Sequence, residues 1–282
     1  MVDDIRPSDN RTCPKTLPDF ILIGAARSGT TWIAKNLEQH PEIFIPRKKE
    51  LHFFDSPTPV GLEFYESYFR EVGSASAIGE ATPAYLHVEP AAARIKETLP
   101  DVKLLVCLRN PVDRLYSRYW NARGRFLENT GLSFEEKLEQ KPSFIAEGFY
   151  VDHLRRYLEL FPREQLLILL FDDLKDDPAS FMASMYRFIG VSDDYYSELL
   201  RQQINAAADQ KLVVRSRSMF WLGKVLRRFR WHKIARQLEL RNSAKLPSMS
   251  SDTRRWLIDV YRDKNRQLGE LIDRDLSHWN ST

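Results

Sequence analysis

Apolar positions along the chain follow two rhythms. Short unbroken runs, FILI at 20–23, KLLVCL at 103–108 and LLILLF at 166–171, are rich in branched residues and suit strands buried on both faces. Shorter strands are expected at 77–80 and 44–46. Between the runs the apolar spacing turns helical: 90–99, 150–161 and 178–189 read as helices, and 62–69 as a short aromatic one. Asn110, Pro111 and Asp113 supply an N-cap, a proline at the first helical position and an acid three residues after the cap. They open a helix through Tyr116, Ser117 and Trp120. Strands alternating with helices predict an α/β fold, a central parallel sheet flanked by helices in three layers. After residue 211 no strand signal stands out, and 251–273 reads as one long helix, so the C-terminal region is expected to be helical. Residues 1–17 are expected to form a flexible arm and 18–282 a single domain.

The first strand runs into the most informative stretch. After Gly24 come small and polar residues to Gly29, and a helix begins at Thr30. A strand, a small-residue turn and a helix start aim backbone N–H groups and a helix dipole at one point, a geometry that binds phosphate. The spacing matches the P-loop pattern G-x-x-x-x-G-K-[ST], with Thr31 at the hydroxyl position. Thr30, however, stands where that pattern has lysine, and Arg27 lies inside the loop. The loop is therefore expected to hold an anion without hydrolysing ATP.

Composition changes this picture little. The chain has 282 residues, 43% of them hydrophobic, enough for one large α/β domain. No apolar run approaches the roughly 20 residues that span a bilayer, and the first fifteen residues carry no signal-type apolar segment. Two cysteines, Cys13 and Cys107, cannot make a disulfide framework, so a cytoplasmic protein is expected. Net charge is only +3, but between Lys211 and Lys245 eleven Lys/Arg face one acid, Glu239. That region is either a solvated helical face or a cationic wall for an anionic partner. Residues 220–229 mix Phe220, Trp221, Leu222 and Val225 with Arg227 and Arg228. This pattern suits a helix packed on the domain better than one lying on a membrane surface.

A second strand end carries anion chemistry. Arg109 ends the KLLVCL run and Ser117 lies on the following helix; a guanidinium holds phosphate in bidentate fashion. Two such sites on one sheet suggest a ligand phosphorylated at two places. Trp32 either offers its ring to a nucleobase or belongs to the core. Glu50 is either a catalytic base or a surface carboxylate paired with Lys48 or Lys49. His52 is either a ligand-facing or a core histidine, and Glu80 either positions an acceptor or braces a loop.

These residues bring a family into view. GAARSGTTW resembles the 5′-phosphosulfate loop of sulfotransferases, and LRNPVDRLYSRY resembles their 3′-phosphate motif. KKELHFFD, GLEFYESYF, GEATPAYL and the late KLPSMSSDTRRWLIDVYRDKNRQL are similar to segments of heparan sulfate sulfotransferases and their bacterial relatives. The likeness runs in order over residues 19–279. It implies transfer of a sulfuryl group from 3′-phosphoadenosine 5′-phosphosulfate (PAPS) to a hydroxyl or amine of a small-molecule or carbohydrate acceptor. By position, Arg27, Ser28, Gly29, Thr30 and Thr31 would hold the phosphosulfate, Arg109 and Ser117 the 3′-phosphate, and Trp32 would stack on adenine. Glu50 matches the general base and His52 a histidine beside it. Arg27 stands where many members have lysine; it keeps the charge but passes no proton. Ala81 replaces a lysine of the heparan sulfate enzymes, and Arg215, with Arg217, is the candidate substitute for their late cofactor loop. No metal and no nucleic acid partner are expected. The competing readings are a P-loop kinase or NTPase and a non-enzymatic binder of anionic surfaces.

Overall fold

The computed structural model describes residues 17–58, 60–122, 132–200, 212–214, 216–228, 231–245 and 247–281. Five strands form a parallel sheet: β1 (Phe20–Gly24), β2 (Ile43–Phe44), β3 (Ala77–Ala81), β4 (Lys103–Leu108) and β5 (Leu166–Leu170). Their order is β2-β3-β1-β4-β5. Every residue of β1 is buried, which explains why it reads as an unbroken apolar run rather than an alternating one. Successive side chains still go to opposite layers. Ile21 and Ile23 pack with Leu104 and Val106 on one face; Phe20 and Leu22 pack with Leu105 and Cys107 on the other.

Helices cover both faces. The intervening helices are α1 (Thr30–Glu38), α2 (Leu62–Glu66), α3 (Glu89–Thr98), α4 (Pro111–Ala122), α5 (Phe134–Gln140), α6 (Ser143–Ala146) and α7 (Tyr150–Leu160). After β5 follow α8 (Phe171–Asp176), α9 (Pro178–Ile189), α10 (Arg217–Arg228), α11 (His232–Arg241) and α12 (Ser251–Ile272). Ile95 of α3 and Leu154 and Tyr157 of α7 close one layer. Ile33 and Leu37 of α1 and Met182, Met185 and Tyr186 of α9 close the other. A third cluster joins α4, α5 and α12 through Leu115, Trp120, Phe134, Leu257 and Tyr261.

The structure departs from expectation in part. Residues 1–16 of the expected arm lie outside the described residues, while Leu17 packs against the core. Two short strands that the sequence did not announce, β6 (Leu212–Val214) and β7 (Ser243–Lys245), pair antiparallel at the base of the α10–α11 hairpin. Three residues each, they are too short for a period-2 signal and arise from closure of the hairpin. Among the described residues α10 makes its extensive packing with α11, and Trp221, Leu222 and Val225 stay exposed.

β1 lies between β3 and β4, and the chain leaves it on one side before crossing to the other. That reversal opens a crevice beyond the carboxyl ends of β1 and β4, where open α/β sheets bind ligands.

Candidate active site

Gly24 closes β1 because no side chain fits there: a Cβ would stand 2.6 Å from Leu86 Cβ. At the far end of the turn Gly29 caps α1 with φ 85, and a Cβ would meet Leu174 and Phe171 at 3.0 Å. The first turn of α1 has neither an acid nor a side-chain cap, so its dipole and N–H groups remain available to an anion. Ser28 is fully buried, and its Oγ has no partner among the described residues. A buried hydroxyl without a protein partner in such a turn is available to a ligand. Thr30 is buried, Thr31 is exposed, and Trp32 is half-buried against the α1–α9 core.

The second cradle starts at the neighbouring strand end. Asn110 Oδ1 accepts from the N–H of Val112 at 3.0 Å, setting α4, while its Nδ2 donates to the Trp279 carbonyl at 3.2 Å. Tyr150 Oη donates to the Arg109 carbonyl at 2.9 Å, and the Arg109 guanidinium lies 5.0 Å from the Phe171 ring centre. Burial pulls the Arg109 pKa below the usual arginine range, so its charge lacks full solvation and gains from a bound anion. Asp113 is paired instead with Arg254 at 2.9 Å. The two cradles touch: Arg27 Nε donates to Ser117 Oγ at 3.3 Å, and Arg109 donates to the Arg27 carbonyl at 3.4 Å.

The loop bearing Glu50 and His52 runs past the end of β3, where Glu50 N–H donates to the Ala81 carbonyl at 3.1 Å. Among the described residues the non-glycine positions with positive φ are Arg27, Glu50, His52 and Asp273. Three of these four are residues that the sequence marks as chemical. Such conformations persist only when the surroundings enforce them. Around Glu50 and His52 a buried carboxylate, Glu80, contributes to this. Glu80 accepts from Thr82 Oγ1 at 2.6 Å, from Tyr85 Oη at 2.7 Å and from Tyr65 Oη. Thr82 Oγ1 in turn accepts from Leu51 N–H at 3.0 Å, and Tyr85 Oη from Phe53 N–H at 3.0 Å. Each hydroxyl accepts from the loop and therefore gives its own proton to Glu80. Burial and the Glu80 charge push both phenols far above their ordinary pKa, keeping them donors.

The loop side chains form a polar chain. His52 Nδ1 lies 2.8 Å from Asp55 Oδ2, and His52 Nε2 lies 3.7 Å from Glu50 Oε2. Lys49 Nζ lies 3.1 Å from Glu50 Oε1 and donates to Thr31 Oγ1 at 2.7 Å. Lys49, read from sequence only as an incidental partner of Glu50, thus ties the carboxylate to the anion loop. Its place before Glu50 was visible; its reach to a residue 18 positions away was not. His52 is half exposed and so is no core histidine. Arg215 lies outside the described residues. No cluster of His, Cys, Asp and Glu suited to a metal occurs among the described residues.

This constellation brings the two strand-end turns, with Arg27 and Arg109, into contact and links the Glu50 carboxylate to the first of them through Lys49. The description "sulfotransferase domain" belongs to the family model that matches residues 17–225. Mouse (Mus musculus) bifunctional heparan sulfate N-deacetylase/N-sulfotransferase 3 is 30% identical over 290 residues, covering 95% of this chain and 31% of its own length. This chain therefore spans about a third of that relative. A sulfotransferase from Alicyclobacillus acidocaldarius, solved by crystallography, matches with TM-score 0.72 at 29% identity, over 94% of this chain and 99% of its own. The membrane-associated sulfotransferase kil1 of Dictyostelium discoideum is 42% identical over 106 residues, 36% of this chain and 22% of its own length.

These relatives correct the expected cytoplasmic location, which is withdrawn: the match to a protein named as membrane-associated overturns it. The physical fault lay in the cysteine argument, because a domain with a core of this size needs no disulfides in any compartment. With the family model covering most of its length, the chain belongs to the sulfotransferase family.

Proposed function

We propose that this sulfotransferase moves a sulfuryl group from PAPS to a hydroxyl or amine of a carbohydrate acceptor, with Glu50 as general base. The observation that carries the reading is the contact between the cradles, Arg27 to Ser117 and Arg109 to the Arg27 carbonyl. One ligand phosphorylated at both ends of an adenosine accounts for both. The buried, unpartnered Ser28 hydroxyl fits a phosphosulfate lying in the turn. Arg109 and Ser117 would hold the 3′-phosphate, and Trp32 would lie against the base.

The donor supplies an activated sulfuryl group, whose bond to the 5′-phosphate oxygen breaks as the acceptor bond forms and releases adenosine 3′,5′-bisphosphate; the chain's own residues orient it and handle protons. Glu50 would take the proton of the acceptor, a role worth about 10²–10⁴-fold in rate. His52, fixed by Asp55, stands beside Glu50 and orients it. Arg27 stabilises charge but passes no proton. The Lys49 ammonium at Thr31 can do both, which makes it a catalytic candidate alongside Glu50. The heparan sulfate relative named above supports a carbohydrate acceptor.

The test is calorimetry with adenosine 3′,5′-bisphosphate, together with transfer from labelled donor to a panel of acceptors. Glu50→Gln should bind the bisphosphate as the native chain does and lose at least 100-fold in turnover. Full turnover in that variant, or tighter binding of Mg-ATP than of the bisphosphate, would overturn the proposal.

A further inference from the structure

Twelve large hydrophobic side chains are exposed among the described residues, and six of them lie on the 25-residue α10–α11 hairpin: Trp221, Leu222, Val225, Trp231, Ile234 and Leu240. The hairpin holds its own shape. Asn242 and Ser216 exchange two hydrogen bonds of 2.8 Å at its base, and Arg227 grips Glu239 across the two helices at 2.8 and 2.6 Å. Gly223 is buried against Glu239, so the α10–α11 interface occupies that side of α10. Trp221, Leu222 and Val225 lie on the opposite side at helical spacing, each about half exposed. Arg217, Lys224 and Arg228 fall along one edge of this stripe, and Lys224 Nζ sits 4.7 Å from the Trp221 ring centre. Glu239, the one acid between residues 211 and 245, is already engaged by Arg227.

We propose that α10 and its hairpin form a docking surface for an anionic lipid bilayer, lying in the headgroup region without crossing it. Two features on the same face select that partner. An exposed apolar stripe with a tryptophan and aliphatic neighbours gains by entering the headgroup–acyl boundary, whereas a polyanion in water offers Leu222 and Val225 nothing. The cationic edge and the lack of a free acid match the negative potential of anionic lipids. No helix among the described residues is long and apolar enough to cross a membrane, consistent with a surface contact. The hairpin leads back to Pro247, whose carbonyl accepts from Tyr116 Oη at 2.9 Å, one residue from Ser117. The inference does not depend on the proposed donor or base.

The test is co-sedimentation of the whole chain with vesicles of phosphatidylcholine alone and with about 30% phosphatidylserine, at low and at about 0.15 M salt. Binding to the anionic vesicles with a blue-shifted tryptophan emission is expected. The triple variant Trp221→Ser, Leu222→Ser, Val225→Ser should weaken it at least 10-fold. Lys224→Glu with Arg228→Glu should abolish it. Far-UV circular dichroism and bisphosphate binding unchanged in both variants show that the fold survives. The proposal falls if anionic vesicles fail to retain the native chain, or if the triple serine variant binds them equally well. It also falls if the native chain dimerises through this face, so that a second copy covers it, or if it prefers heparin or an oligonucleotide to the vesicles.

Discussion

Replacing Glu80 by glutamine tests the link between the buried core and the chemistry at Glu50. The substitution keeps the shape but removes the charge from a site with three hydroxyl donors. Hydrogen bonds to a charged acceptor contribute roughly 1.5–3 kcal/mol and neutral ones roughly 0.5–1.5; the amide oxygen keeps the Thr82 and Tyr85 bonds in weakened form while the amide NH2 cannot accept from Tyr65, so the gross cost is about 3 kcal/mol or somewhat more. Against this stands the relief of desolvation: burial raises the Glu80 pKa in spite of its three donors, so the ionised form is held at a cost. Net loss of folding stability should therefore be modest, about 1–2 kcal/mol. The effect on turnover should be larger. Tyr85 and Thr82 fix the backbone N–H groups of Leu51 and Phe53 on either side of His52, and both Glu50 and His52 have left-handed backbones that relax once the brace loosens. A displacement of about 1 Å at a reacting group costs on the order of 10²-fold in rate. Urea unfolding, bisphosphate affinity and kcat are the three measurements. The expected pattern is a small loss of stability, unchanged bisphosphate binding and kcat lowered 10- to 100-fold. In a Glu50→Gln background the further loss should vanish, because the brace then positions nothing that reacts. Unchanged kcat, or an equal loss in both backgrounds, would refute the reasoning.

Two further outcomes follow from the same geometry. Arg109→Lys keeps a cation but loses the planar fork beside the Phe171 ring, so bisphosphate affinity should fall about 10-fold by calorimetry while Glu50-dependent steps stay intact. Stability should also depend on pH through His87 and His153, whose pKa values are both lowered to about 4, first by burial and then by neighbouring arginines. Between pH 6.5 and 4 the unfolded chain binds the protons that the folded chain refuses. Stability is therefore complete above 6.5 and is lost as pH falls through that window, by up to about 1.4 kcal/mol per pH unit for each ring and roughly half that for rings partly open to water. Urea midpoints at pH 7 and 5 measure the loss, and His87→Gln with His153→Gln should flatten it.

Much of the fold was legible locally. A strand buried on both faces has to be apolar without interruption, so FILIG and KLLVCL announced themselves. Asn110 capping α4 and the Gly24–Gly29 turn follow from short-range geometry, and the order of motifs placed Arg27, Glu50, Arg109 and Ser117 as candidates. What local pattern could not report was distance. That Arg27 meets Ser117, 90 positions away, depends on β1 and β4 lying side by side, a property of the sheet order alone. The Lys49 contact with Thr31 and the Glu80 brace beneath Glu50 likewise form only when separate strand ends converge. The basic helix α10 shows the reverse case. Its amphipathic pattern was plain in the sequence, but whether its apolar side faces the domain or the solvent is decided by what packs against it, and that is settled only in three dimensions.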